Sequence, residues 1–279
     1  MIAFLKRFSR NPAAVVGLVI LVLVVAFAIL APLLYPNSPW KPVQRPFLAP
    51  FAQAGFPMGT DTLGRDVAAG LVHGARVSLQ IGVVSTIVAL LIGVPLGAIA
   101  GYSGGWVDDL LMRFTEFFQT IPSFALAIVM VAILQPQLGS IILAIGVVSW
   151  PPVARLVRGE VLSLRSREYV QAAITIGQST PRIIFSQILP NTIAPIIVIG
   201  SLMVGTAILL ESSLSFLGLG DPNLMSWGYM VGAGRTRLLD SWWISFFPGI
   251  AIFLTVLALN LAGEGLNDAL NPRLSRGRK

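Results

Sequence analysis

The sequence predicts an all-α integral membrane protein with six transmembrane helices, on three observations. Hydrophobic residues fill 55% of the 279 positions and charged residues only 11%, with a mean hydropathy of +0.82; a water-exposed surface of this size needs far more charge. Residues 11–40, 77–107, 117–154, 183–210 and 241–263 contain no Asp, Glu, Lys or Arg. A spanning helix takes about 20 apolar residues, so four of these runs hold one span each. The 117–154 run is too long for one span, and Gln135-Pro136-Gln137-Leu138-Gly139-Ser140 interrupts it as a tight turn between two.

The first span, about 13–35, follows Lys6, Arg7 and Arg10, and Ala26-Phe27-Ala28 resembles a cleavage site. A signal core is only about 7–15 residues long, whereas here the apolar run extends from Ala13 to Tyr35, so the span is expected to stay uncleaved. The outer segment 36–76 carries Pro36, Pro39, Pro42, Pro46, Pro50 and Pro57, which break helices and predict an ordered or semi-ordered loop. His73, the only histidine, is expected at the outer membrane surface without a special role. The second span, about 78–101, holds Gly93, Gly97 and Gly101 at four-residue spacing, which predicts close approach of another helix. Pro95 within it predicts a kink. Spans three and four are expected at about 117–134 and 139–157, span five at about 193–212 and span six at about 243–264. The coupling loop 160–190 and the second outer segment 213–240 separate them. The basic tail Asn271–Lys279 is expected at the inner lipid surface. There is no internal repeat, so residues 1–279 form one membrane domain.

A net charge of +7 and a pI near 10.5 raise nucleic acid as a partner, but orientation explains them better. With six spans and the N-terminus inside, the inner segments hold thirteen Lys and Arg and the outer segments six. That asymmetry follows the positive-inside rule and places both termini in the cytoplasm. The absence of Cys excludes disulfides and thiolate metal sites, and a single His excludes a His-based metal cluster and a Ser-His-Asp triad. No catalytic, cofactor-binding or metal-ligating residue is expected. Glu116 and Glu264 are expected near inner helix ends and Glu211 near the outer end of span five. None stands mid-span with a visible partner, which counts against a secondary carrier.

Gly59-Thr60-Asp61-Thr62-Leu63-Gly64-Arg65-Asp66 is a near miss to a phosphate-binding loop. Arg65 stands where Lys is required, Asp66 where Ser or Thr would hold Mg²⁺, and no strand precedes it. A turn capped by Asp61, with Gly64 at positive φ, is the better reading.

The polar island after span four reads as two short helices. Val170, Ala173, Ile174 and Gly177 share one helical face, small enough to sit in a groove of another protein. Gly177 ends or bends this helix; Thr180-Pro181 start a second one, which Pro190 closes. An amphipathic helix resting on the membrane is the competing reading, but the island has few large apolar anchors and no Trp.

The run Glu168-Tyr169-Val170-Gln171-Ala172-Ala173, Gly177 and Ile188-Leu189-Pro190 resembles the EAA loop of ABC-importer membrane subunits, whose coupling helices dock on the ATPase. The strict motif has Glu where Gln171 stands. Gly59-Thr60-Asp61 through Gly64-Arg65-Asp66, Gly74-Ala75-Arg76-Val77-Ser78-Leu79, Glu211-Ser212-Ser213-Leu214-Ser215-Phe216-Leu217-Gly218-Leu219-Gly220 and Ser226-Trp227-Gly228 look like the peptide and nickel branch, specifically the second of its two unlike permeases. Arg10-Asn11-Pro12 and Leu270-Asn271-Pro272-Arg273 fit too. The resemblance implies a type I importer permease fold in the bacterial cytoplasmic (inner) membrane, with cytoplasmic coupling helices. Its implied ATPase contacts are Glu168, Tyr169, Gln171, Ala172, Ala173, Gly177, Ile188, Leu189 and Pro190. The implied binding-protein-side motif is Gly59, Asp61, Gly64, Arg65, Asp66, Arg76, Glu211 and Trp227. The implied partners are a homologous but distinct permease, two ATPase subunits carrying ATP and Mg, an extracytoplasmic solute-binding protein and membrane lipid, with no nucleic acid. The subunit itself would be no enzyme, would bind no cofactor and would move di- or oligopeptides by alternating access. The rival readings are an ATP-independent carrier or channel and a scaffold that recruits an enzyme.

Overall fold

Asn11 and Pro12 open the first helix, α1 (Pro12–Leu34). The Asn11 side chain accepts from the Ala14 amide at 3.2 Å, and proline occupies a first-turn position where no amide is required. The Asn11 amide also donates to Asp268 at 3.3 Å, tying α1 to the end of the last helix. These coordinates are a computed structural model describing residues 8–270; Lys6, Arg7 and the basic tail lie outside them.

The chain continues as α2 (Val67–Ser103), α3 (Gly105–Thr120), α4 (Ser123–Leu134) and α5 (Leu138–Arg165), then α6 (Glu168–Thr175) and α7 (Thr180–Ile183). A π-turn, Ile184–Ile188, leads into α8 (Leu189–Phe216), followed by α9 (Trp227–Gly234) and α10 (Trp243–Leu270). Among the described residues, five helical stretches are long and apolar enough to cross a membrane, and the bent pair α3–α4 makes six if it counts as one span.

The parallel pair α2–α5 forms the spine of the bundle. A Cβ on Gly93 would lie 2.6 Å from Val153 Cβ, one on Gly101 2.7 Å from the Arg158 carbonyl oxygen, and one on Gly97 would collide with the Ala154 carbonyl oxygen. The four-residue spacing therefore does bring two backbones together. Gly97→Ala is expected to lower stability by about 1–3 kcal/mol, because two helices must part. Gly159→Ala on the facing helix, with no atom within 4 Å, is expected to be neutral or stabilising by up to about 1 kcal/mol. The difference between their unfolding midpoints in mild detergent checks this, and equal midpoints would refute the packing account.

Four expectations need correction. The second span starts at Val67 rather than near 78, because the Asp66 side chain caps it by accepting from the Ala68 amide at 2.9 Å. Arg76 and His73 are thereby helical. His73 has a structural role, its Nε2 lying 2.9 Å from the Tyr35 carbonyl at the end of α1. The third span is not one helix over 117–134: α3 and α4 meet at 81°. Pro122 forces Ile121 out of helical geometry, to φ −84° and ψ 124°. Pro190 does not close a short helix either. The Leu189 amide bonds the Ile184 carbonyl five residues back, and helix continues from Thr180 to Phe216. The widened turn reaches across the point where proline removes a donor.

Candidate functional site

At the end of α5 the chain reverses into an elbow. Arg167 is extended, at φ −73° and ψ 147°, and α6 starts with Glu168 in its first turn, where an acid suits the helix dipole. Val170 is fully buried and Ala173 nearly so, packed with Val157 and Val161 of α5 and with Ile183, Ile184 and Ile188. The face assigned from the sequence to another protein's groove thus turns partly inward. The exposed side presents Glu168, Tyr169, Gln171, Ala172, Ile174 and Ile176, with Phe185 beside it at 71% exposure. Ile188 lies in the buried cluster, Leu189 packs against it, and Pro190 is exposed.

Two local devices hold the elbow. Gly177 takes φ +78°; its amide bonds the Ile174 carbonyl at 2.9 Å, and the Gln178 amide bonds that of Ala173 at 3.1 Å, the paired bonds of a Schellman end. Gln171 Nε2 donates to the Arg165 carbonyl at 2.9 Å, satisfying one of the orphan acceptors at the end of α5. A carboxylate at that position could not donate, so Gln is suited where the resembling motif carries Glu.

The opposite end of the bundle is locked by the Gly59–Asp66 turn. Asp61 Oδ1 accepts from the amides of Leu63 at 2.8 Å and Arg65 at 2.9 Å, while Oδ2 pairs with Arg65 Nε. The guanidinium carbon lies 5.1 Å from the Trp40 ring centre and 5.7 Å from that of Tyr229. Thr60 accepts from the Leu48 amide and donates to the Arg45 carbonyl, and Trp243 Nε1 donates to the Thr60 carbonyl. Gly59 and Gly64, both at positive φ, sit against the carbonyls of Leu48 and Gln44; the space a phosphate would need is filled by the chain itself. Burial pushes the Asp66 carboxyl above the usual range, while hydrogen bonds from the Ala68 and Ala69 amides act the other way.

Next to this lock, Glu211 is 1% exposed. Its Oε1 accepts from Ser215 and Ser226, each at 2.7 Å. Ser226 Oγ also accepts from the Tyr229 amide to cap α9. Trp227 is anchored twice: its amide donates to Ser78 Oγ at 3.0 Å and its indole to the Leu71 carbonyl at 2.8 Å. Asp61, Arg65, Glu211 and Trp227 are therefore buried, clamping α9 onto α2 and α8, while Arg76 stays at the wall of an open groove beside α1. The sequence reading missed Trp40 and Tyr229, and named Thr60 and Ser226 only as motif members without their partners. It also missed the bidentate pair of Arg158 with Asp108, at 2.6 Å for both bonds. Only the cap-forming Ser226, one residue before a helix, carried a local signal.

Residues 93–276 match the family described as binding-protein-dependent transport system inner membrane component. Residues 2–55 match the N-terminal TM domain of oligopeptide transport permease C. The dipeptide transport system permease protein DppC of Alkalihalophilus pseudofirmus is 44% identical over 96% of this chain and 88% of that protein. The di/tripeptide permease DppC of Pseudomonas aeruginosa is 41% identical over 97% and 91%. The oligopeptide permease OppC of Bacillus subtilis is 40% identical over 97% and 88%. In fold, the chain is similar to a chain of the inward-facing MetNI methionine ABC transporter, with TM-score 0.60 and 16% identity over 72% of this chain and 97% of that one. With its bundle of apolar helices and these relatives along nearly its whole length, the chain belongs to the binding-protein-dependent inner membrane components of ABC importers, as a permease subunit of the oligopeptide permease C branch.

Proposed function

We propose that this subunit forms half of a translocation path for di- or oligopeptides and that the α6–α7 elbow is its ATPase-docking element. The relatives' cargo supports peptides. The observation that carries the docking role is the elbow's division of labour. Tyr169, Ala172, Ile176 and Phe185 are exposed, while Val170 and Ala173 are packed into one core with α5 and the start of the α8 stretch. A push on the exposed side reaches two spans at once.

In this reading the elbow and both termini face the cytoplasm of a bacterial inner membrane, in keeping with the Lys and Arg asymmetry. ATP and Mg bind to two ATPase subunits, and this chain holds no cofactor and performs no covalent chemistry. A second, unlike permease completes the path, and a solute-binding protein docks at the Asp61 end. Closure of the ATPase pair moves the elbows, and the path opens first outward and then inward. Glu168, Tyr169, Gln171 and Ala172 form the contact, whereas Ala173, Gly177, Ile188 and Leu189 shape it from behind.

The test is a mild-detergent pull-down from native membranes with a tag on this chain. A second permease and ATPase subunits should co-purify, and Ala172→Arg, at an exposed position, should release the ATPases while keeping the permease pair. Recovery of the chain alone would favour an ATP-independent carrier instead.

A further inference from the structure

The break between α3 and α4 supplies something the bundle does not otherwise need: unpaired polar side chains in an otherwise apolar cleft. α3 climbs antiparallel to α5. Near its start Asp108 meets Arg158, and near its end Phe118 packs edge-on against Trp150, ring centres 5.4 Å apart. The break at Ile121-Pro122 therefore stands level with the middle of the 28-residue α5. It borders a cleft of about 490 Å³ whose walls include Gln119 and Ser123 at the break, Ser149 on α5 and Thr206 on α8.

Among the described residues, the side chains of Gln119, Ser123 and Ser149 make no hydrogen bond, and residues 119–125 are exposed throughout. One turn below, Glu116 is exposed and has no ion-pair partner among the described residues. Pro151 and Pro152, on the same cleft, deprive the carbonyls of Val147 and Val148 of their helical donors. Irregular backbone and unpaired polar groups at this depth are tolerated only inside protein or against water; facing lipid, each would lose its hydrogen bonds.

Resting on the peptide-importer reading, we infer that this cleft is one wall of the translocation path and that Gln119, Ser123 and Ser149 are its hydrogen-bonding contacts to cargo. Apart from Glu116 at its lower edge, the wall is neutral, and among its apolar side chains it offers the Ser123 and Ser149 hydroxyls and the Gln119 amide. Such a set matches peptide backbone amides in transit rather than any one side chain. It tolerates varied cargo sequences because it reads only groups every peptide shares.

The chain contains no Cys, so single cysteines report their surroundings directly. In the complete importer in closed membranes, Gln119→Cys and Ser149→Cys are expected to react with a charged, water-soluble methanethiosulfonate reagent at least tenfold faster than Leu91→Cys. Leu91 is 69% exposed on the chain's apolar surface. Modification at 119 or 149 is expected to cut peptide uptake at least tenfold. Ser123→Cys, at the break itself, supplies a third position where packing is least disturbed. Labelling no faster than at Leu91, or uptake unchanged after full modification, overturns the assignment. An unsubstituted complex that fails to import peptides sinks the cargo reading instead, and the labelling rates still judge the path.

Discussion

Asp61→Ala is expected to destabilise the folded permease by about 3–5 kcal/mol, the usual cost of removing one partner from a buried ion pair. Arg65 is 3% exposed and cannot lose its charge. Without Asp61 it keeps only the Tyr229 hydroxyl at 3.5 Å and the Trp40 and Tyr229 rings. The amides of Leu63 and Arg65 lose their acceptor at the same time. The double variant Asp61→Asn with Arg65→Met leaves no buried charge and is expected to recover most of the loss. Denaturant unfolding of the purified complex measures both. Peptide uptake should fall with the folded fraction while nucleotide affinity of the assembled complex stays unchanged. A loss below about 1 kcal/mol would show that this lock is dispensable. Weakened nucleotide binding in a folded complex would mean that the phosphate-loop reading had been rejected wrongly.

Gly177→Leu is expected to cut transport and binding-protein-stimulated ATP hydrolysis about tenfold while membrane insertion proceeds normally. Nothing lies within 4 Å of the Cβ that leucine would add, so the obstacle is the backbone, held at φ +78°. For a residue with a side chain that conformation costs about 1–2 kcal/mol, and 1.4 kcal/mol is about a factor of ten in population. The two amide bonds that end α6 would loosen together, and with them the angle at which Tyr169 and Ala172 are presented. Gly177→Asn, a residue that tolerates this conformation, should transport at close to the normal rate. Normal transport by the leucine variant would remove the elbow from the coupling mechanism.

Much of the fold was legible because its causes are local. The charge-free runs, the glycine ladder on α2 and the Gly177 helix end each act within a few residues or along one helix face. The turn at Gly59–Asp66 was readable as a turn for the same reason. What it holds was not. Arg65 finds Tyr229 164 positions away, and Trp227 finds Leu71 156 positions away. No periodicity encodes such pairings, and so the outer motif looked like a surface when it is a buried clamp. Val170 and Ala173 were misjudged alike: their small size suits close contact with any surface, and the nearest one was the chain's own α5 and the stretch that leads into α8.

By itself the sequence determined the membrane-embedded class, the approximate positions of the apolar helices and the helix end at Gly177. Apolar transfer and capping are properties of short segments. The tertiary structure alone decided that α3 and α4 meet at 81°, that helix persists through Pro190 and that Asp61, Arg65 and Glu211 are buried. Those outcomes depend on which distant side chains surround a proline or a charge. Whether a local preference is overridden depends on the partners that folding brings to it.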